Sequence, residues 1–392
     1  MTFAQLALIC AVALLGPLLA LPRQFRLPVV IGELTVGIVL GETGLHVLTP
    51  ADATFSFLGE VGFALVMFVA GSHVPVRNPA LRAGLKAGVL RAVGIAVVSV
   101  GVGALLASAF GTGHGLMYAV LLASSSASIV MPALEGVPLT GPSIVALLPQ
   151  LALADAACIV LLPLVMDPAH APRAALGAVL VAAAALVFWI VLRWAEKSGR
   201  RQAVHEVSEE RGLAIELRSV LVALFAIGAI AQLLHVSIML AGFATGLAVA
   251  GVGEPRRVAR QVFALTEGFF TPIFFVWLGS SLQLRDLLVH PAAMALGASL
   301  GLGAVAVHTL GAFTGQPWPI AVSTSAQLGV PVAAVAMGTS MHLLTPDEPP
   351  ALLLSAIVTI LAVTVVSNRI ASIARAEATP VAVSTPGSSG SS

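Results

Sequence analysis

Long apolar segments, separated by short polar or Pro/Gly-rich breaks, run through almost the whole chain. A helix of about 20 apolar residues matches the hydrocarbon core of a bilayer, so these segments predict transmembrane helices. The pattern predicts thirteen spans, at about 4–21, 28–48, 57–73, 85–110, 114–134, 142–166, 174–195, 213–233, 236–252, 264–282, 292–315, 318–342 and 350–372. The expected fold class is an all-α polytopic membrane protein with about 13 transmembrane helices.

Composition excludes an ordinary soluble protein. The chain is 58% hydrophobic and 9% charged, with a mean hydropathy of +1.02, whereas soluble domains carry about 25% charged residues. The net charge of +1 says nothing useful about nucleic acid, because the charges are sorted by position rather than pooled. The expected partner is the lipid bilayer, and no nucleic acid is expected. Cys10 and Cys158 both lie inside apolar spans, which predicts neither a disulfide framework nor a metal cluster. No cofactor and no enzymatic activity are expected.

The positions of Lys and Arg test the number of spans. With the N-terminus outside and the C-terminus in the cytoplasm, seventeen of the nineteen basic residues fall on or beside cytoplasmic loops. Only Arg173 and Arg285 lie outside, which satisfies the positive-inside rule. The first apolar segment lacks a basic n-region and is interpreted as a retained helix. The expected location is a cell membrane, most naturally a bacterial inner membrane.

Polar segments divide the chain into three parts. The transmembrane domain is expected over 1–375, with a cytoplasmic linker at 196–212 between the seventh and eighth spans. The Pro/Ser/Gly-rich tail at 376–392 carries no apolar set to bury and is expected to be disordered. No soluble nucleotide-binding domain is expected after the membrane region.

Asp155 lies near the middle of the sixth predicted span and is the only charged residue between Glu135 and Asp167. An ionised side chain at the centre of a membrane helix costs about 2.5–3.5 kcal/mol on insertion scales. An acid at that depth is therefore interpreted first as an ion or proton site. The alternative is a buried acid in a structural pair.

The fifth and twelfth spans are both interrupted, at 123–132 (ASSSASIVMP) and 323–331 (STSAQLGVP). Interrupted segments in corresponding positions of two halves are typical of the midplane site of a secondary transporter, because the break frees backbone carbonyls and helix ends. The alternative is that the serines pack helices closely together. The oxygen ligands predicted at the two breaks are Ser124, Ser125, Ser126, Thr324, Ser325 and Gln327.

Three motifs carry a resemblance to a known family. They are LPVVIGELTVGIVLG at 27–41, LGEVGFALVMFVAG at 58–71 and FFTPIFFVWLGSSLQL at 269–284. Together they resemble the monovalent cation:proton antiporter-2 family, the sodium/hydrogen exchanger-like membrane domain. The resemblance covers about 1–372 and implies an inverted-repeat antiporter fold with two broken crossing helices. It also implies a dimerisation bundle, a moving core bundle, a homodimer and a small monovalent cation as substrate.

The chain departs from the family pattern at the site. The family usually places two polar or acidic residues together in the sixth span, whereas Ala154 precedes Asp155 here, so Asp155 inherits the ion-binding role alone. Many members carry a Lys or Arg in the eleventh span, where His308 stands as an auxiliary titratable group. The family's Arg-Gly-Glu-Phe-type motif in the twelfth span is replaced by 326–329 (AQLG).

Three further acids are expected to have structural roles. Glu60, in the third span, is expected to support the core by pairing or hydrogen bonding. Glu33 and Glu267 flank family motifs near breaks or span ends, where solvated structural roles are expected.

The expected function is secondary active antiport of sodium or potassium against protons, by alternating access at Asp155 and with no net charge moved. Two protons per cation would follow if His308 also released one. A potassium-efflux relative, a carrier of an organic or anionic substrate on the same scaffold, and a membrane sensor without transport all stay open as alternatives.

Overall fold

The computed structural model describes most of the chain. The described residues are 1–20, 29–72, 79–130, 134, 141–166, 168, 171–199, 207–208, 210–211, 213–234, 236–253, 256–281, 285, 291–345 and 347–378. Within them every regular element is helical and no strand occurs. Most of the predicted linker and residues 379–392 of the predicted tail lie outside the described residues.

The helices are numbered along the chain. They are α1 Phe3–Ala13, α2 Leu15–Ala20, α3 Val29–Leu40, α4 Ala53–Ser72, α5 Pro79–Phe110, α6 Gly115–Ala123, α7 Ala127–Val130, α8 Pro142–Met166, α9 Ala171–Lys197, α10 Ile215–Leu233, α11 Ile238–Val252, α12 Arg256–Leu265, α13 Thr271–Ser280, α14 Pro291–Thr309, α15 Trp318–Ser323, α16 Gly329–Ser340 and α17 Glu348–Ala378. A π-helical turn at Thr266–Phe270 joins α12 to α13, and a 3-10 turn at Leu310–Thr314 follows α14.

The predicted spans correspond to these helices in order, and the predicted all-α membrane fold is confirmed. Eight described helices are long and apolar enough to cross a membrane by length and composition, and three further apolar helices are shorter. The fifth and twelfth spans each divide into two helices, α6–α7 and α15–α16. The last helix, α17, continues to Ala378, so the first three residues of the predicted tail are helical.

Packing divides the helices into two groups. In one group α3 and α4 pack on α13, and α4 and α9 pack on α11. In the other group α5 packs on α6 and α8, while α14, α15 and α16 pack on α17. Both interrupted spans and the helix that carries Asp155 belong to the second group, which we call the site bundle. The first group is the flanking bundle.

Two glycines allow the helices of the flanking bundle to approach closely. A Cβ on Gly246 in α11 would lie 2.1 Å from the carbonyl oxygen of Phe68 in α4, and one on Gly279 in α13 would lie 2.3 Å from that of Leu34 in α3. Small residues at such crossings are typical of membrane helices, where close backbone contact rather than the hydrophobic effect holds helices together.

Candidate functional site

Asp155 lies in the middle of α8 and is 7% exposed within the protein. Two prolines inside the helix, Pro149 and Pro163, lie on either side of it along the chain. The backbone N–H of Ala127, the first residue of α7, donates a hydrogen bond to the Asp155 carboxylate. The acid therefore lies at the break of the fifth span, where a freed backbone amide meets it.

The two interrupted spans meet through a side chain of one and the backbone of the other. Ser125 lies in the break between α6 and α7, and its hydroxyl donates to the carbonyl oxygen of Thr324 over 2.7 Å. Thr324 directly follows α15, at the start of the second break. Both residues are buried, so this bond satisfies a carbonyl that the broken helix leaves without a helical partner.

His308 bridges the same two spans from α14. Its Nδ1 lies 2.8 Å from the Thr324 hydroxyl, and its Nε2 lies 3.0 Å from the carbonyl oxygen of Leu122 in α6. A carbonyl only accepts, so Nε2 carries a proton, and in the neutral ring Nδ1 then accepts from the Thr324 hydroxyl; only a charged ring could donate to it. The ring is 1% exposed, and no ion pair reaches it from the described residues. A charged ring would be costly here because no carboxylate balances it.

Further hydrogen bonds hold the two interrupted spans where they meet, a region that we call the crossing. The Ser124 hydroxyl and the Gln327 side-chain amide both donate to the carbonyl oxygen of Leu121, over 2.8 Å and 2.6 Å. The backbone N–H of Gln327 donates to the Thr359 hydroxyl in α17 over 3.2 Å. The structure thus brings Ser124 and Gln327 together although they stand in different halves of the chain.

The crossing offers oxygen chemistry suited to a small cation. Ser124, Ser125 and Thr324 each donate their hydroxyl proton to a carbonyl or share it with His308, which leaves oxygen lone pairs for a cation. Hard cations prefer carboxylate, carbonyl and hydroxyl oxygens. In the described part of the chain, no group of three or more His, Cys, Asp or Glu side chains could hold a metal ion.

Glu60 lies apart from this crossing. It is half-buried on α4 and lines a cavity of about 940 Å³ between the two bundles. Neither Asp155 nor His308 is among the residues that line this cavity. Support of the core by Glu60 through a partner stays a prediction, since it makes no hydrogen bond or ion pair with the described residues.

The burial of some polar groups is not predicted from the sequence. Glu33 in α3 is 2% exposed and its Oε2 has no partner among the described residues, so the expected solvated role is wrong. Thr359 is one of several hydroxyl residues in the last predicted span, so the sequence alone does not single it out. Glu348, 0% exposed, accepts hydrogen bonds from Tyr118 and lies 2.7 Å from His114 Nδ1. A cluster of this kind joins distant segments, so no local pattern indicates it.

Comparison with known proteins finds matches over almost the whole chain. A family model described as "Sodium/hydrogen exchanger, transmembrane" matches residues 10–369. Among solved structures, the sodium proton antiporter MjNhaP1 from Methanocaldococcus jannaschii aligns with a TM-score of 0.66 at 14% identity. That alignment covers 95% of this chain and 97% of that one. At this identity the likeness concerns the fold.

Two curated relatives differ in the cation that their names give. A Bacillus subtilis protein named "Putative Na(+)/H(+) antiporter YjbQ" is 21% identical over 376 residues, 91% of this chain and 61% of that protein. "Glutathione-regulated potassium-efflux system protein KefC" of Klebsiella pneumoniae is 29% identical over 283 residues, 67% of this chain and 42% of that protein. The chain therefore spans about three fifths of the first relative's length and less than half of the second's.

Proposed function

The chain belongs to the sodium/hydrogen exchanger transmembrane family, and we propose that it is a secondary active antiporter that exchanges sodium or potassium for protons at Asp155. One observation carries this proposal: the only acid in the middle of α8 is buried beside a helix break, with a backbone amide as its described partner. The oxygen ligands at the crossing support it. No resident cofactor is needed.

Competition at one carboxylate explains the coupling. An ionised Asp155 with no counter-charge is costly to bury, whereas a bound proton or a bound monovalent cation removes most of that cost. The two ligands exclude each other because each neutralises the same single charge. The empty, charged site crosses the barrier poorly, so movement of one ligand requires return of the other.

His308 acts in this proposal as a neutral bridge. Its two ring nitrogens hold Leu122 and Thr324, one from each interrupted span, and none of the described acids forms an ion pair with it. A ring that keeps its charge state through the cycle contributes no proton to exchange. The stoichiometry is then one proton for one cation, and transport moves no net charge.

Alternating access would follow from movement of the site bundle against the flanking bundle. The two groups share few helix contacts apart from those of α8 with its sequence neighbour α9 and with α11. The flanking bundle would form the contact between two copies in a homodimer. The proposed orientation has the N-terminus outside and the C-terminus in the cytoplasm of a bacterial cell.

Two alternatives predict different flux. A carrier of an organic or anionic substrate on this scaffold would show proton flux only with that substrate, and a sensor would show none. Family members usually carry charged residues in the motif that residues 326–329 (AQLG) replace here. This replacement is the reason to keep both alternatives.

A gradient panel tests the proposal. Proteoliposomes that contain the purified chain and a trapped pH dye are expected to respond when sodium, potassium or lithium is added, well above protein-free liposomes. The cation that gives the lowest apparent KM identifies the substrate. Absence of a response to all three cations, from protein shown to be folded by size-exclusion chromatography, would contradict the proposed antiport.

A further inference from the structure

The cavity of about 940 Å³ lies between the helices of the two bundles. Its walls include Ser56, Glu60 and Phe63 of α4, together with Phe274 and Trp277 of α13. On the opposite side lie residues of the site bundle, which are Pro163 of α8 and Val332 and Val335 of α16. The cavity is much larger than one monovalent cation requires, so a cation can enter it with part of its water shell.

Among the described residues, Glu60 is the single acid that lines this cavity. It is half-buried, and it has no hydrogen-bond or ion-pair partner among the described residues. Ser56 precedes it by four residues on α4, which places the hydroxyl and the carboxylate on one helix face. One charged oxygen group and one neutral oxygen therefore face the same space.

The cavity does not reach the proposed exchange site. Asp155 lies two helical turns before Pro163 on α8 and does not line the cavity. The rings of Phe63 and Phe274 stack with their centroids 4.9 Å apart and line the cavity on the side of the flanking bundle. A cation in the cavity is therefore in the same space as Glu60, whereas Asp155 is not among the residues that line that space.

From this geometry we propose that Glu60 forms a separate recruitment site, which holds a partly hydrated monovalent cation in the cavity before it passes to Asp155. This proposal rests on the proposed antiport function. On the proposed topology, Ser56, Arg173 and Ser281 stand at the outer ends of their helices, so the cavity receives cations from outside. Glu60 raises the local concentration of cations there without taking part in exchange.

Arg173 allows a test of the sign of the electrostatic effect on cations in the cavity. It is exposed and lines the same cavity, where it repels cations while Glu60 attracts them. A unit charge about 7 Å from a hydrated cation changes its local concentration about threefold in water-like surroundings. Removal of Glu60 and removal of Arg173 should therefore shift the apparent KM in opposite directions.

The experiment compares Glu60→Gln, Arg173→Gln and Ser281→Ala in right-side-out and everted membrane vesicles at low ionic strength. In right-side-out vesicles, Glu60→Gln is expected to raise the apparent KM for the exchanged cation about threefold, with the maximal rate kept. Arg173→Gln is expected to lower it, and the neutral control Ser281→Ala to leave it unchanged. High choline chloride should remove both shifts, since the screening length falls to about 3 Å at 1 M salt. Glu60→Asp keeps the charge and should restore the KM, which separates a charge effect from misfolding.

Three outcomes overturn the proposal. They are an unchanged KM in Glu60→Gln, an equal shift at both membrane faces, and a shift of the same sign in Glu60→Gln and Arg173→Gln. An equal shift at both faces would place Glu60 at the shared exchange site. Failure of the antiport function itself is distinguishable, because then the unmodified chain shows no cation-coupled proton flux.

Discussion

Replacement of Asp155 by Asn is expected to reduce proton-coupled cation exchange to the level of protein-free liposomes. The amide has nearly the same shape, and its oxygen can still accept the hydrogen bond from the Ala127 amide. It carries no charge, however, so it neither balances a cation nor exchanges a proton near neutral pH. The measurement is dye-reported proton flux after addition of the preferred cation.

Two controls accompany this variant. Cys158→Ala changes a buried neutral residue one turn away on the same helix and is expected to keep exchange. Thermal unfolding in detergent should show that Asp155→Asn is at least as stable as the parent, since the substitution removes a buried acid that forms no ion pair with the described residues. Exchange by Asp155→Asn at the parental rate would remove this residue from the centre of the mechanism.

Replacement of His308 by Ala is expected to slow exchange strongly and to lower stability, without a change in the number of protons per cation. The substitution leaves the Leu122 carbonyl and the Thr324 hydroxyl without their ring partners. Each buried polar group left unsatisfied costs about 1–3 kcal/mol. Because these groups belong to different interrupted spans, the geometry of the crossing should loosen as a whole.

Two further variants distinguish a hydrogen-bonding role of His308 from a role that depends on its charge. His308→Gln can donate one hydrogen bond and accept another, so it should recover part of the rate that His308→Ala loses. His308→Lys places a permanent cation where no acid from the described residues stands beside it, and it should be slower than His308→Gln. Recovery by Lys together with failure of Gln would contradict the neutral bridge. Initial exchange rates at saturating cation provide the comparison.

The hydropathy pattern predicts most of the helices of the fold. The predicted sixth span, 142–166, has the same ends as α8, because a bilayer requires a continuous apolar helix of that length. The second span shows the limit of this reasoning. It was predicted to reach residue 48, but α3 ends at Leu40, where Gly41 and Gly44 begin a turn and Leu45 N–H bonds back to the Val39 carbonyl. Apolar residues that fold back over a helix end look the same to hydropathy as a further helical turn.

The site was only partly predictable. The serines and glycine of the two breaks indicate where helices stop, because a lipid-facing helix cannot leave its backbone groups unsatisfied. The partner of Ser125 is the Thr324 carbonyl, 199 residues away, and only tertiary packing decides that pairing. Glu33 and Glu60 show the same limit, since both stand in apolar helices while one is fully buried and the other faces a cavity.

Exchange rates at clamped membrane potentials test the single-carboxylate account most directly. A full elementary charge that crosses about 100 mV gains about 2.3 kcal/mol, which can change a rate up to about 50-fold. Exchange of one proton for one cation moves no net charge. The account therefore predicts the same rate in proteoliposomes held at about 100 mV of either sign and at zero potential. A steep dependence on potential in the unmodified chain would contradict it.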